Sequence, residues 1–139
     1  MSDEGGLAFH PLGQGKYLVE INIYSGAYQP GYIFMSYDEA SHASSPARLL
    51  EFKRYSREED GSVTSAYETE IAGFPTFNRR TTQLQIYSKS RGIGDCGSLV
   101  TYKFMGERPV VVEARAQPCY QDEARRVVDP QHWQKVSKP

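Results

Sequence analysis

Cys96 is the residue whose type and setting best fit covalent chemistry. It stands in Gly94-Asp95-Cys96-Gly97, where glycines let the chain curl until successive backbone amides point at one spot. A thiolate attacking a carbonyl needs such a loop, because the amides hold the oxyanion that forms. The same residues also make a glycine-rich turn able to carry half of a disulfide. Cys119 is the only other cysteine of the two in the chain. From the count alone, a bridge and two separate thiols stay equally open; a bridge would add about 3 kcal/mol through loop closure.

A nucleophilic cysteine needs a histidine base within hydrogen-bond reach and a carboxylate to orient it. The order His10, Asp38, Cys96 permits a small chymotrypsin-like cysteine hydrolase. Too little chain precedes His10, however, to build the strands that carry the base in that fold. His42 lies in a Ser/Ala-rich loop and His132 beyond the nucleophile. Two barrels in 139 residues would also be tight. The hydrolase is therefore the alternative, and a protein without catalysis the preferred reading.

The elements that would position these residues are strands. In Lys16 to Tyr24, Tyr17, Val19, Ile21 and Ile23 share one face while Glu20 and Asn22 share the other, as in a half-buried strand. Tyr32 to Tyr37 is apolar on both faces, hence central. Ala47 to Lys53 and Ser62 to Ile71 read as two more strands, with Ala72 to Thr81 as a turn-rich connection. Thr82 to Ser90 alternates, and Ser98 to Phe104 turns through Met105-Gly106-Glu107-Arg108 into Pro109 to Ala116, the clearest hairpin. Gln121 to Val128 fits one or two helical turns, and Asp129 to Val136 a turn that docks Trp133. The expectation is all-β: one antiparallel meander of about seven or eight strands closing into a barrel or sandwich, with a short helical C-terminal segment. It is a single domain over residues 1–139, with less regular ends at 1–15 and 122–139.

Composition narrows the classes further. Sixteen basic and 17 acidic residues leave a net charge of -1, so no global field favours nucleic acid. No apolar run reaches the length of a membrane helix. The histidines are far apart, the cysteines lack metal-ligand spacing and no EF-hand loop occurs. Gly13-Gln14-Gly15 lacks the strand before and helix after that a dinucleotide loop needs. No cofactor and no metal are expected. Met1 followed by Ser-Asp-Glu-Gly-Gly fits a cytosolic start or the cut end of an exported chain.

Two loops hold the candidate binding residues. Tyr24, Ser25, Gly26, Tyr28 and Tyr32 lie in Tyr-Ser-Gly-Ala-Tyr-Gln-Pro-Gly-Tyr, which could present an aromatic platform to a sugar, peptide or protein. The plainer reading packs Tyr24 and Tyr32 into the sheet and leaves Tyr28 exposed. Arg91 and Asp95 flank glycines in the second loop, either as an ion pair holding the turn or, with the loop amides, as an anion site.

Over roughly Leu12 to Val136 these pieces resemble a bacterial family known as domain of unknown function 1176, in particular its C-terminal β domain and compact cyanobacterial versions. The residues that carry the resemblance are Gly15 to Phe34 with the Gly-Ala-Tyr turn, Arg91 to Gly97 as Arg-Gly-Ile-Gly-Asp-Cys-Gly, the following hairpin into Cys119, and Asp129 to Val136. The resemblance implies a Cys96–Cys119 disulfide, which removes the nucleophile, and a periplasmic, lumenal or secreted location. A further cysteine that many members place before the Gly-Ala-Tyr turn is replaced here by Ile23-Tyr24-Ser25. Members are often longer at the N-terminus. Ser25-Gly26-Ala27-Tyr28 is also similar, one residue short, to the Ser-Gly-x-x-Tyr loop of periplasmic lysozyme inhibitors. Together these imply an exported β module that binds another protein or an envelope component through its loops, as an accessory subunit or an inhibitor-like module.

Overall fold

Strands form here where alternation and β-branched or aromatic side chains let one face bury. The computed structural model describes residues 6–41, 46–121 and 127–139. Among these described residues are eleven strands: β1 Leu7–Gly13, β2 Lys16–Tyr24, β3 Gly31–Asp38, β4 Ala47–Leu49, β5 Phe52–Arg57, β6 Val63–Glu68, β7 Glu70–Ala72, β8 Phe74–Asn78, β9 Gln83–Lys89, β10 Gly97–Met105 and β11 Arg108–Gln117. All pair antiparallel, in a five-stranded sheet (β1-β2-β3-β4, with β7 also on β3), a four-stranded sheet (β11-β10-β9-β8) and the β5-β6 hairpin. No ladder among the described residues joins one sheet to another.

The count exceeds the expected seven or eight for physical reasons. β1 and β8 each carry a proline, Pro11 and Pro75, and each lies at the edge of its sheet. An edge tolerates the missing N–H, so proline there marks a sheet margin rather than a turn. Gly13-Gln14-Gly15 is the tight turn of the β1-β2 hairpin, so a strand does precede it, and another strand follows. The run Ala47 to Lys53 divides at Leu50-Glu51, where the chain leaves β3 after Leu50 N–H donates to the Phe34 carbonyl at 2.9 Å. β3 is central as read, flanked by β2 on one side and by β4 and β7 on the other.

The core draws on all three sheets: Leu18 and Phe34 from the first, Leu84, Ile86, Val100 and Tyr102 from the second, Phe52 and Tyr55 from the hairpin. Phe52 is the hinge of this packing. Its ring meets Phe34 at 5.2 Å and Tyr102 at 5.0 Å, both edge-on, and its burial contributes about 2–3 kcal/mol. The Tyr102 hydroxyl donates to the Lys53 carbonyl at 2.6 Å, and burial holds that phenol well above its ordinary pKa.

The side of β2 that faces inward is opposite to the one its alternation implies. Leu18 is fully buried in the core, and Glu20 and Asn22 share its face. Both polar groups are occupied there: Glu20 Oε1 lies 3.1 Å from His10 Nε2, and Asn22 Nδ2 donates to the carbonyls of Tyr24 and Gly31 at 3.1 Å each. Tyr17, Val19, Ile21 and Ile23 lie on the other face, where Ile23 is exposed, Tyr17 and Ile21 are partly covered and Val19 is buried among its row neighbours. They join cross-strand rows that run Leu7–Ile21–Ile33, Phe9–Val19–Met35–Leu49 and Pro11–Tyr17–Tyr37–Ala47.

The segment after Asp129 makes the turn that docks Trp133. Asp129 accepts from Gln131 N–H at 3.0 Å, opening a 3-10 turn over Pro130–His132. Trp133 is then buried, and Val136 N–H and Gln134 carbonyl bond to Ala114 and Ala116 of β11. The helical turns expected over Gln121 to Val128 fall largely on residues 122–126, outside the described residues, as does His42.

Candidate functional site

The two loops singled out by composition meet. Asn22 closes the base of the first, Ser25 to Pro30, by bonding both of its ends. Gly26, at φ 72°, lets the turn fold so tightly that a Cβ there would stand 1.9 Å from the Gln29 carbonyl oxygen. Gln29 then reaches the end of β9. Its Nε2 donates to the Lys89 carbonyl at 3.0 Å, and its Oε1 accepts from Lys89 N–H at 2.8 Å. A side-chain amide thus substitutes for a strand rung, which pins the first loop against the second. Tyr28 lies over Gly92, whose Cβ, if present, would be 3.9 Å from that of Tyr28.

Of the three tyrosines, Tyr32 packs inward beside Phe34, and burial together with the charge of Glu20 raises its pKa. Tyr24 lies across Gly31, where its ring occupies the space any larger residue would need, yet remains 39% exposed. Tyr28 is 43% exposed, and Ile93 at the tip of the second loop 71%. Phe74 adds to the same surface, with Lys89 Nζ 5.3 Å above its ring and Tyr87 stacked at 5.9 Å. Lys89 and Phe74 were not legible as site residues, because only strand pairing and the Gln29 clamp bring them near the first loop; Gln29 and Ile93 lie inside the two loops, but nothing in their types marks a role.

Arg91 and Asp95 form the ion pair that holds the second loop. Arg91 Nε donates to Asp95 Oδ1 at 2.8 Å, its Nη2 bonds Asp95 Oδ2, and the same Nη2 donates to the Tyr120 carbonyl at 2.9 Å. The guanidinium therefore fastens the loop to the chain just beyond Cys119. Its hydrogen bonds hold the Asp95 carboxyl below the ordinary value of 3.8, against the opposing effect of partial burial. A depressed folded-state pKa means stability that is present above the unfolded value and lost as pH falls through the folded one. Asp95→Asn is accordingly expected to lower Tm at neutral pH, with the gap to wild type closing as pH is taken through and below 3.8. Thermal denaturation followed by circular dichroism at stepped pH reads this; a gap that persists unchanged into acid would show the carboxylate charge to be idle.

Cys96 and Cys119 are joined in a disulfide, with Cα atoms 5.0 Å apart, as the family resemblance implied. The bridge closes the open end of the β10-β11 hairpin, just past the Gly97–Gln117 rung. Cys96 is fully buried. His10, Asp38 and Cys96 are not brought together. His10 stacks on Phe77 at 4.7 Å, level with Leu84 of β9, whereas Gly97 is level with Lys89. Those β9 positions are about 17 Å apart by strand rise. Asp38 is spent on the Ala40 N–H at 3.0 Å.

A second concavity went unread in the sequence. A groove of about 800 Å³ runs between β4, the β5-β6 hairpin and the β10-β11 turn. Lys16, Arg48, Lys53 and Arg108 line it against Glu51 and Glu107, with Tyr67 and Met105 as apolar walls. Its residues come from strands remote in sequence, so no local motif announces it. No helix among the described residues is long and apolar enough to cross a membrane.

Strands, bridge and paired loops define an antiparallel all-β protein with a disulfide-closed hairpin and a loop surface fixed by side-chain clamps. A family model described as protein of unknown function (DUF1176) matches residues 2–135. The chain belongs to that family. No curated protein and no solved structure matches it.

Proposed function

We propose that this protein is a non-catalytic exported module that binds another protein or an envelope component through the paired loops at 24–32 and 88–97. The observation that carries the reading is the Gln29–Lys89 clamp, which pins the two loops together while Tyr28 and Ile93 stay exposed. A preordered surface of aromatic and aliphatic side chains loses little conformational freedom on binding, which is what a recognition platform needs. The disulfide supports an oxidising compartment. In the same reading, the four- and five-stranded sheets are the layers of a sandwich whose loops gather at one end.

The inhibitor-like form of this reading has a direct test. Wild type, Tyr28→Ala and Ile93→Ser would be compared for retention of envelope extract components and for inhibition of lysozyme. At least one retained component, or the inhibition, is expected to fall tenfold or more in both variants while Tm is unchanged. If the variants match wild type in every retained component and in inhibition, the loops are not the binding surface.

A further inference from the structure

The outward rows of the five-stranded sheet are the feature that the loop surface does not use. Alternation makes Tyr17, Val19, Ile21 and Ile23 the apolar side of β2, and folding turns that side away from the core. We propose that this sheet face is the contact surface between two copies of the chain, stacked sheet against sheet.

Exposure is the first support: Leu7 is 59% exposed, Phe9 54%, Leu49 51% and Ile23 41%. With smaller contributions from the partly covered neighbours in the rows, Val19 being buried, the face presents about 600 Å² of side chain per copy, taking 150–250 Å² as the size of a large one. That is at the top of what monomers leave uncovered. Two such faces together bury about 1,200 Å², the lower end of stable interfaces, which fits a dimer that forms in the micromolar range.

Charge decides the occupant. Two of the three rows contain no charged residue, and the first ends in a single charge, Glu70, paired with Ile33 at the far side of the sheet. A twofold axis through the middle of the face brings this surface onto itself and sets the two Glu70 side chains at opposite ends, so apolar rows meet apolar rows with no like charges opposed. A partner with a charged face would have to desolvate its charges against apolar rows, which is unfavourable. An anionic bilayer gains no attraction from a face whose single charge is acidic, on a chain of net charge -1. A second copy matches all three observations.

Sedimentation velocity from about 1 μM to about 1 mM spans the expected equilibrium. The mass of wild type should rise from 15.7 kDa toward twice that value. Phe9→Glu combined with Leu49→Glu should raise the dimer dissociation constant at least tenfold without lowering Tm, since both side chains are exposed. Leu7→Lys, at the sheet edge, gives the same reading should the double variant fold poorly. Tyr28→Ala should dimerise as wild type does, which separates this face from the loop surface. Wild type that stays monomeric throughout, variants that dimerise like wild type, or flotation with phosphatidylcholine vesicles in place of dimerisation would each overturn the proposal.

Discussion

Replacing Cys96 and Cys119 together by alanine is expected to destabilise the protein by about 3 kcal/mol, lowering Tm by about 10 °C for a chain of this size. The closed loop spans a sequence separation of 23, and that length sets the entropy released to the unfolded chain when the bridge is lost. The effect should exceed that of removing an ordinary surface contact, because the bridge lies where β10, β9 and β11 converge. Reduction of wild type in dithiothreitol should reproduce most of the loss, which separates loss of the bridge from any void left by the alanines. Thiol titration of unreduced protein in denaturant should find none free. One rapidly alkylated thiol at Cys96 in the native protein would refute the structural role and restore the nucleophile reading.

Gly97→Ala is expected to be as damaging, by a different route. Gly97 has φ 146°, and a Cβ there would lie 1.9 Å from the Ser88 carbonyl oxygen, with Lys89 Cα at 3.1 Å. The obstacle is backbone of the neighbouring strand, so no side chain can swing aside. Forcing the methyl in must move β9 off β10 or twist Gly97 out of its rung, at about 4 kcal/mol from strain and overpacking combined. Gly106→Ala is the control: it has φ 65° but open space around it, so only the backbone preference is lost, about 1 kcal/mol. Urea unfolding of the three proteins measures both. Equal losses for the two variants would show that the contact with Ser88 is not what fixes glycine at position 97.

Residue types and local spacing carried a large part of this fold. The β10-β11 hairpin was legible because its alternation is long and its turn is tight. β3 was legible as central because it is apolar on both faces. Both candidate loops were legible because glycine and tyrosine cluster there. What stayed hidden depended on pairing. Alternation in β2 defines two faces but not which one turns inward, and Glu20 and Asn22 face inward because His10 and two loop carbonyls satisfy them. Pro11 and Pro75 mimic turns until their strands are seen to be edges. Gln29 carries no mark in the sequence, since its role exists only when Lys89 lies opposite.

That last contact makes the loop surface sensitive to chemical ageing. The clamp uses both halves of one amide, a donor toward the Lys89 carbonyl and an acceptor toward its N–H. Deamidation of Gln29 changes the side chain by a single atom and leaves its shape intact. It turns the donor into a second acceptor, which then faces a carbonyl oxygen across a former hydrogen bond. The loop surface is thus held in register by a group with a finite covalent lifetime, while the sheets behind it are not.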